Sequence, residues 1–309
     1  MHFRIRTEDI NYGLGMVLRA VSARPVKQIY EGVLIESDVS GIILTCTNGE
    51  ITIRTAVPAI VEEEGTALLP ARLFGDMMHF QSEGEIDIII DDRGRAQIRT
   101  QGSSSNMISL DADEYPEIES VNRDHLVVMQ ASRMKEAVNK VMFAVSTDES
   151  RKILTGILME AYPRETLFVG LDGFRLAMQS ISQENRMPLQ HPDKISCVIP
   201  GKTMSEIGRM LPDDPETEVS VIFNSARIQF SFGSVQVFAS LLSGEFIDYQ
   251  RILPKTWTTE IHLDRERFQR AIERCSLMAR EGKNNLIHFK IRKDGIMEMT
   301  ANAEKGNVY

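Results

Sequence analysis

Apolar residues recur at helical spacing in three places along the chain, and the three are copies of one pattern. Ile10, Leu14, Val17, Leu18 and Val21 mark one face of a helix predicted over residues 9–22; Met134, Val138, Val141, Met142 and Val145 repeat it 124 positions later, predicting a helix over 132–145. The same offset relates Gly32-Val-Leu-Ile-Glu36 to Gly156-Ile-Leu-Met-Glu160 and Asn48-Gly49 to Asp172-Gly173. Further on, Leu68-Leu69-Pro70 before Arg72 matches Val198-Ile199-Pro200 before Lys202, and Glu114-Tyr115 matches Glu245-Phe246, so the second copy carries a small insertion. A third copy opens at Asp264, with Phe268, Ile272, Cys275 and Ala279 on one face of a helix over 264–280 and strands over 286–291 and 296–301.

Each copy reads as a helix, several short strands, a second helix after a proline (71–80 and 202–211), and more strands. Segments 86–90, 96–100, 219–223 and 227–232 are rich in β-branched and aromatic residues and are separated by Asp-Arg-Gly or Asn-Ser turns, as antiparallel meanders require. The fold class is therefore α+β, with two helices per copy laying an apolar stripe on a sheet. The expected domains are 1–120, 127–254 and 258–309. The third holds about 46 residues where a full copy takes about 125, so its sheet is expected to be incomplete, with apolar surface and strand edges left open.

Composition narrows the setting. There is no stretch of eighteen apolar residues and no signal-peptide pattern, which predicts a cytoplasmic protein without a membrane span. Cys46, Cys197 and Cys275 are far apart and lie in apolar runs, which reads as reduced core cysteine. The chain carries a net charge of −9, yet its five predicted helical segments together carry +4. Basic helices on an acidic protein fit a surface that meets a polyanion, and they also fit ordinary solvated helix faces.

No spacing that chemistry demands is present. Gly13-Leu-Gly15 lacks a third glycine and sits inside the amphipathic helix, so it reads as structural. There is no phosphate loop, no His-Glu-x-x-His and no Gly-x-Ser-x-Gly, and the six histidines are scattered. Glu62-Glu63-Glu64 and Asp91-Asp92 adjoin turn signals and read as solvated loops. No catalytic residue, cofactor or metal is expected.

Several segments carry a family resemblance: Ala20-Val-Ser-Ala-Arg-Pro25, Ala144-Val-Ser-Thr-Asp-Glu-Ser-Arg151, Leu171-Asp-Gly-Phe-Arg-Leu176, Gly244-Glu-Phe-Ile-Asp-Tyr-Gln-Arg-Ile-Leu-Pro254 and Ser276-Leu-Met-Ala-Arg-Glu281. In order and spacing they resemble the bacterial DNA polymerase III beta subunits, the sliding clamps. The resemblance implies the DNA-clamp fold: three similar domains form a crescent, and two crescents pair head to tail into a homodimeric ring with helices inside and sheets outside. It also implies a processivity factor with no chemistry of its own, which encircles duplex DNA without sequence preference. Such a clamp tethers the polymerase alpha subunit, the clamp loader and repair polymerases through a short clamp-binding peptide.

On this sequence the resemblance points to Arg24, Arg72, Lys135, Lys140, Lys202, Arg209, Arg270 and Arg274 as the residues facing DNA. It assigns the peptide pocket to Leu154, Leu171, Gly173, Phe174, Arg175, Leu176, Ile247, Arg251 and Ile252, with the arginine heads free for the peptide. Phe174 stands where relatives often have histidine and Ile247 where they usually have proline, so peptide preference is expected to differ. Met107, Leu277 and Met278 are the candidates for the head-to-tail interface. Without the resemblance, a protein-interaction scaffold that does not close into a ring remains a second reading; it predicts a monomer with little affinity for duplex.

Overall fold

The computed structural model describes residues 1–309 apart from Ala23, Glu119, Arg123, 186–192, Lys283, Lys293, 304–305 and Tyr309, and apart from the side chains of 306–308. The described chain forms two units, Met1–Ile247 and Asp248–Tyr309. The first contains helices α1 (Thr7–Val17), α2 (Ala71–His79), α3 (Ala131–Met142) and α4 (Gly201–Met210); the second contains α5 (Tyr249–Ile252) and α6 (Arg265–Glu281).

The helices follow the apolar periodicity, but α1 and α3 end earlier than it suggests. After Val17 the chain tightens into a 3-10 turn at Leu18–Ala20 and becomes extended at Val21. The β-branched Val21 and the approach to Pro25 both disfavour another helical turn. Residues Ile10, Leu14 and Val17 of α1, and Met134, Val138 and Val141 of α3, are buried as the spacing requires.

Among the described residues, three antiparallel sheets make up the first unit. One runs, in spatial order, Ile60–Glu63, His2–Arg6, Glu85–Ile90, Arg95–Arg99 and Ser104–Ile108. Another runs Leu176–Ser182, Glu165–Leu171, Gly156–Tyr162 and Ile195–Pro200. The largest has eight strands, four from each copy of the repeat: His125–Gln130, Glu218–Phe223, Arg227–Phe232 and Val235–Ser240 continue directly into Ile51–Val57, Gly41–Thr47, Gly32–Asp38 and Gly65–Pro70. The seam is the pairing of Val235–Ser240 with Ile51–Val57, in the register Val235 to Thr55, Val237 to Ile53 and Ala239 to Ile51. Because the sheet does not break there, one connected apolar core runs from Phe3 to Ala239. That continuity explains why the first two copies form a single unit.

Helix and sheet approach closely at two glycines. A Cβ on Gly13 of α1 would lie 2.6 Å from Val57 Cγ2 and 2.9 Å from Leu44 Cδ1. In the second copy the gap is on the sheet: a Cβ on Gly170 would lie 2.5 Å from the Val141 carbonyl oxygen of α3. Gly13 is therefore a packing residue, as its helical context predicts.

In the second unit, α6 packs Cys275 and Ala279 against Ala301, with Met278, Ile287 and Met299 around them. Its strands are His288–Ile291, Met297–Ala303 and Gly306–Val308. Leu277, Leu286, Ile291 and Ile296 remain exposed.

Candidate functional site

Basic side chains lie on the helix faces turned away from the core. In α4, Thr203, Met204, Ile207 and Gly208 are buried, whereas Lys202 and Arg209 are exposed. Arg24, Arg72, Lys202 and Arg274 have no ion pair among the described residues. The other four are partly neutralised: Lys135 by Asp213 at 2.8 Å, Lys140 by Glu136 at 2.6 Å, Arg209 by Glu206 at 2.6 Å and Arg270 by Glu266 at 3.9 Å. Glu206 also receives Arg19 of the first copy at 3.5 Å, a basic residue that the spacing alone does not single out. Such surface pairs are weak and exchange readily, so a polyanion can compete for them.

The second site is a tight connection between the strands Glu165–Leu171 and Leu176–Ser182, where Leu171 pairs with Leu176. Asp172 organises it. Its Oδ1 accepts the backbone N–H groups of Phe174 at 2.8 Å and Arg175 at 2.9 Å, and its Oδ2 accepts Arg175 Nε at 2.8 Å. These bonds, the backbone donors foremost, pull the Asp172 carboxyl down to about 2. Gly173 takes φ +93°, a conformation that strains any residue with a side chain. The result is an outward-pointing Phe174, 97% exposed.

Of the residues assigned to the pocket, Leu154 and Leu171 are core residues, Leu176 is partly buried, and Ile247 is 40% exposed. In the second unit, Ile252 is exposed and Arg251 Nε binds Asp248 Oδ2 at 2.8 Å. Each arginine head is thus tied at one edge, at Nε, and is not fully free. Arg175 and Arg251 are each held at Nε by an aspartate three residues earlier, because a turn and a short helix bring those positions together. The pattern also missed Phe143, whose ring centroid lies 5.8 Å from Arg175 Cζ. Its one sequence signal is a large aromatic just beyond the last apolar position of α3.

Of the interface candidates, Leu277 is exposed and Met278 packs against the small core of the second unit. Met107 is only 6% exposed and belongs to the main core, so its side chain offers no surface to a partner. Its neighbour Ile108, on the opposite face of the same edge strand, is 74% exposed. A shift of one residue along a strand exchanges inside for outside, which is why the two are easily confused from sequence.

Cys46, Cys197 and Cys275 are unpaired and buried, and burial pushes the Cys46 and Cys197 thiols up. Among the described residues no group of three or more His, Cys, Asp or Glu side chains could hold a metal ion. No described helix is long and apolar enough to cross a membrane.

Comparison with known proteins assigns both copies of the repeat. Residues 1–119 match the DNA polymerase III beta subunit N-terminal domain, and 128–248 match its central domain. The beta sliding clamp of Halalkalibacterium halodurans is 31% identical over 310 residues, covering 97% of this chain and 80% of the relative. The DNA polymerase sliding clamp of Bacillus subtilis superposes with a TM-score of 0.93 at 29% identity, covering all of this chain and 82% of that one. A DNA polymerase III beta subunit from Eubacterium rectale gives 0.93 at 25% identity. With the fold, the repeat and a relative matched along nearly the whole of this chain, the chain belongs to the beta sliding clamps, the beta subunit family of bacterial DNA polymerase III.

Proposed function

We propose that this member of the processivity-factor family works as a ring around duplex DNA. Three clamp domains, 1–120, 127–254 and 258–309, make each crescent, and two crescents join head to tail. The seam in the eight-stranded sheet carries this reading. There, the last strand of the second copy, Val235–Ser240, pairs with the fourth strand of the first, Ile51–Val57. The equivalent strands at the two ends, Ser104–Ile108 and Leu176–Ser182, have open outer edges among the described residues. One pairing rule can therefore continue in both directions, and a head-to-tail contact that repeats closes into a ring when its rotation permits.

Arg24, Arg72, Lys135, Lys140, Lys202, Arg209, Arg270 and Arg274 face the phosphates loosely and without reading bases, so topology supplies the retention. Polymerase alpha subunit, clamp loader and repair polymerases bind through a short peptide at Phe174, Arg175, Leu176 and Ile247, with Leu154, Leu171 and Gly173 supporting that surface. Leu277 and Met278 lie at the head-to-tail contact. The chain performs no catalysis, binds no cofactor and works in the cytoplasm; the loader supplies the ATPase.

Solution mass and DNA topology test the ring together. The expected mass by light scattering is twice the chain's 34.9 kDa. After loading by a bacterial clamp loader and ATP, the protein should stay on nicked circular duplex and leave when the circle is cut. A monomeric mass with equal loss from circular and linear DNA would overturn the reading.

A further inference from the structure

Phe143 lies just beyond α3 and is 59% exposed, outside the main core, so burial does not account for an aromatic residue there. Its ring lies beneath the Arg175 guanidinium, 5.8 Å from Cζ, while Asp172 Oδ2 takes Nε at 2.8 Å. A cation over a ring face, tied at one edge by a carboxylate, is held in place. Both Nη groups are left without a hydrogen-bond partner among the described residues. A second guanidinium adjoins the turn: Arg151 Nη1 lies 3.1 Å from where a Cβ on Gly173 would stand. In the same turn the Phe174 ring projects into solvent.

We propose that Phe143 is a positioning residue that fixes the Arg175 fork, so that the site selects partner segments placing a carboxylate beside an apolar side chain. A carboxylate matches the planar fork with two parallel hydrogen bonds, and the neighbouring apolar group covers Phe174. The inference rests on the peptide-site reading above and adds to it a residue, Phe143, and a preference for acid.

The test uses random octapeptides displayed on phage and selected on the full chain. A synthetic copy of the tightest binder is then measured by fluorescence anisotropy against wild type, Phe143→Leu, Phe143→Tyr, Phe174→Ala and Arg175→Gln. Selected peptides should carry Asp or Glu next to an apolar residue. Phe143→Leu keeps apolar bulk but loses the π face, and should weaken binding by about threefold to tenfold. Phe143→Tyr should retain affinity, and replacing the peptide's acid by its amide should abolish the difference between wild type and Phe143→Leu.

Unchanged affinity in Phe143→Leu, with losses in Phe174→Ala and Arg175→Gln, would overturn the role of Phe143 and leave the peptide site standing. Equal losses in the Tyr and Leu variants would also overturn it, since a shape defect would then suffice. No selected peptide at all, or no loss in any variant, would remove the peptide site itself.

Discussion

Ile53 of the first copy stands directly opposite Val237 of the second, and both side chains are fully buried. The pair lies on the seam of the eight-stranded sheet, so the two copies share packing as well as hydrogen bonds. Ile53→Ala removes buried volume at the join and should cost about 2–5 kcal/mol. Because the core is connected, the loss should appear as one cooperative shift in denaturant unfolding. Hydrogen exchange should rise in Arg227–Phe232 as well as in Gly41–Thr47. Faster exchange confined to the first copy would mean that the copies fold independently.

Two glycines two positions apart in α1 should respond in opposite directions to the same change. Gly13→Ala drives a methyl group into Val57 and Leu44 and should destabilise by about 1–3 kcal/mol despite the better helix former. Gly15 has no neighbour within 4 Å of an added Cβ. Gly15→Ala should therefore stabilise by up to about 1 kcal/mol. Thermal melts of the two variants check this directly, and a nucleotide-binding loop would show no such asymmetry.

The repeat made the helices and the antiparallel sheets legible because each apolar stripe has to be buried locally. Strand partners distant in sequence were less so: nothing in Val235–Ser240 announces Ile51–Val57 as its neighbour, since any alternating strand offers the same donors and acceptors. The site was legible as a run, Leu171 to Leu176, but its working geometry was not. The hold of Asp172 on Arg175 depends on a turn, and the stacking of Phe143 depends on residues 32 positions apart. Met107 shows the remaining limit, since a strand's phase decides which of two neighbouring apolar residues is core.

Glu160 is a nearly buried carboxylate that accepts Lys194 Nζ at 2.8 Å and the Tyr162 hydroxyl at 3.2 Å. Lys194→Met should destabilise by about 1–3 kcal/mol, less than a fully buried pair because the lysine is partly in water. Burial, with Glu160 beside it, raises the Tyr162 phenol to about 12. A raised phenol contributes stability that is whole below pH 10 and declines as pH rises towards 12, because the unfolded chain ionises first. Tyr162→Phe should flatten this decline in urea midpoints measured from pH 9 to 12. An unchanged slope would place the alkaline sensitivity elsewhere.

The Asp172 turn gives the sharpest acid-side expectation. Its carboxyl is depressed to about 2 from an ordinary value near 3.9, so its contribution is present above pH 4 and disappears as pH falls through 2. Backbone N–H groups of Phe174 and Arg175 are the leading cause, ahead of the Arg175 side chain. Arg175→Gln should therefore raise the carboxyl's titration midpoint, followed by carbon-detected NMR, only part of the way. Gly173→Ala forces a Cβ into φ +93° and against Arg151, at a cost of about 1–2 kcal/mol, and by opening the turn should return the midpoint close to 4. If Arg175→Gln alone restored the ordinary value, the salt bridge and not the turn would be holding the charge. Phe174 would then owe its outward direction to Arg175, and the two residues could not be varied independently in any peptide-binding experiment.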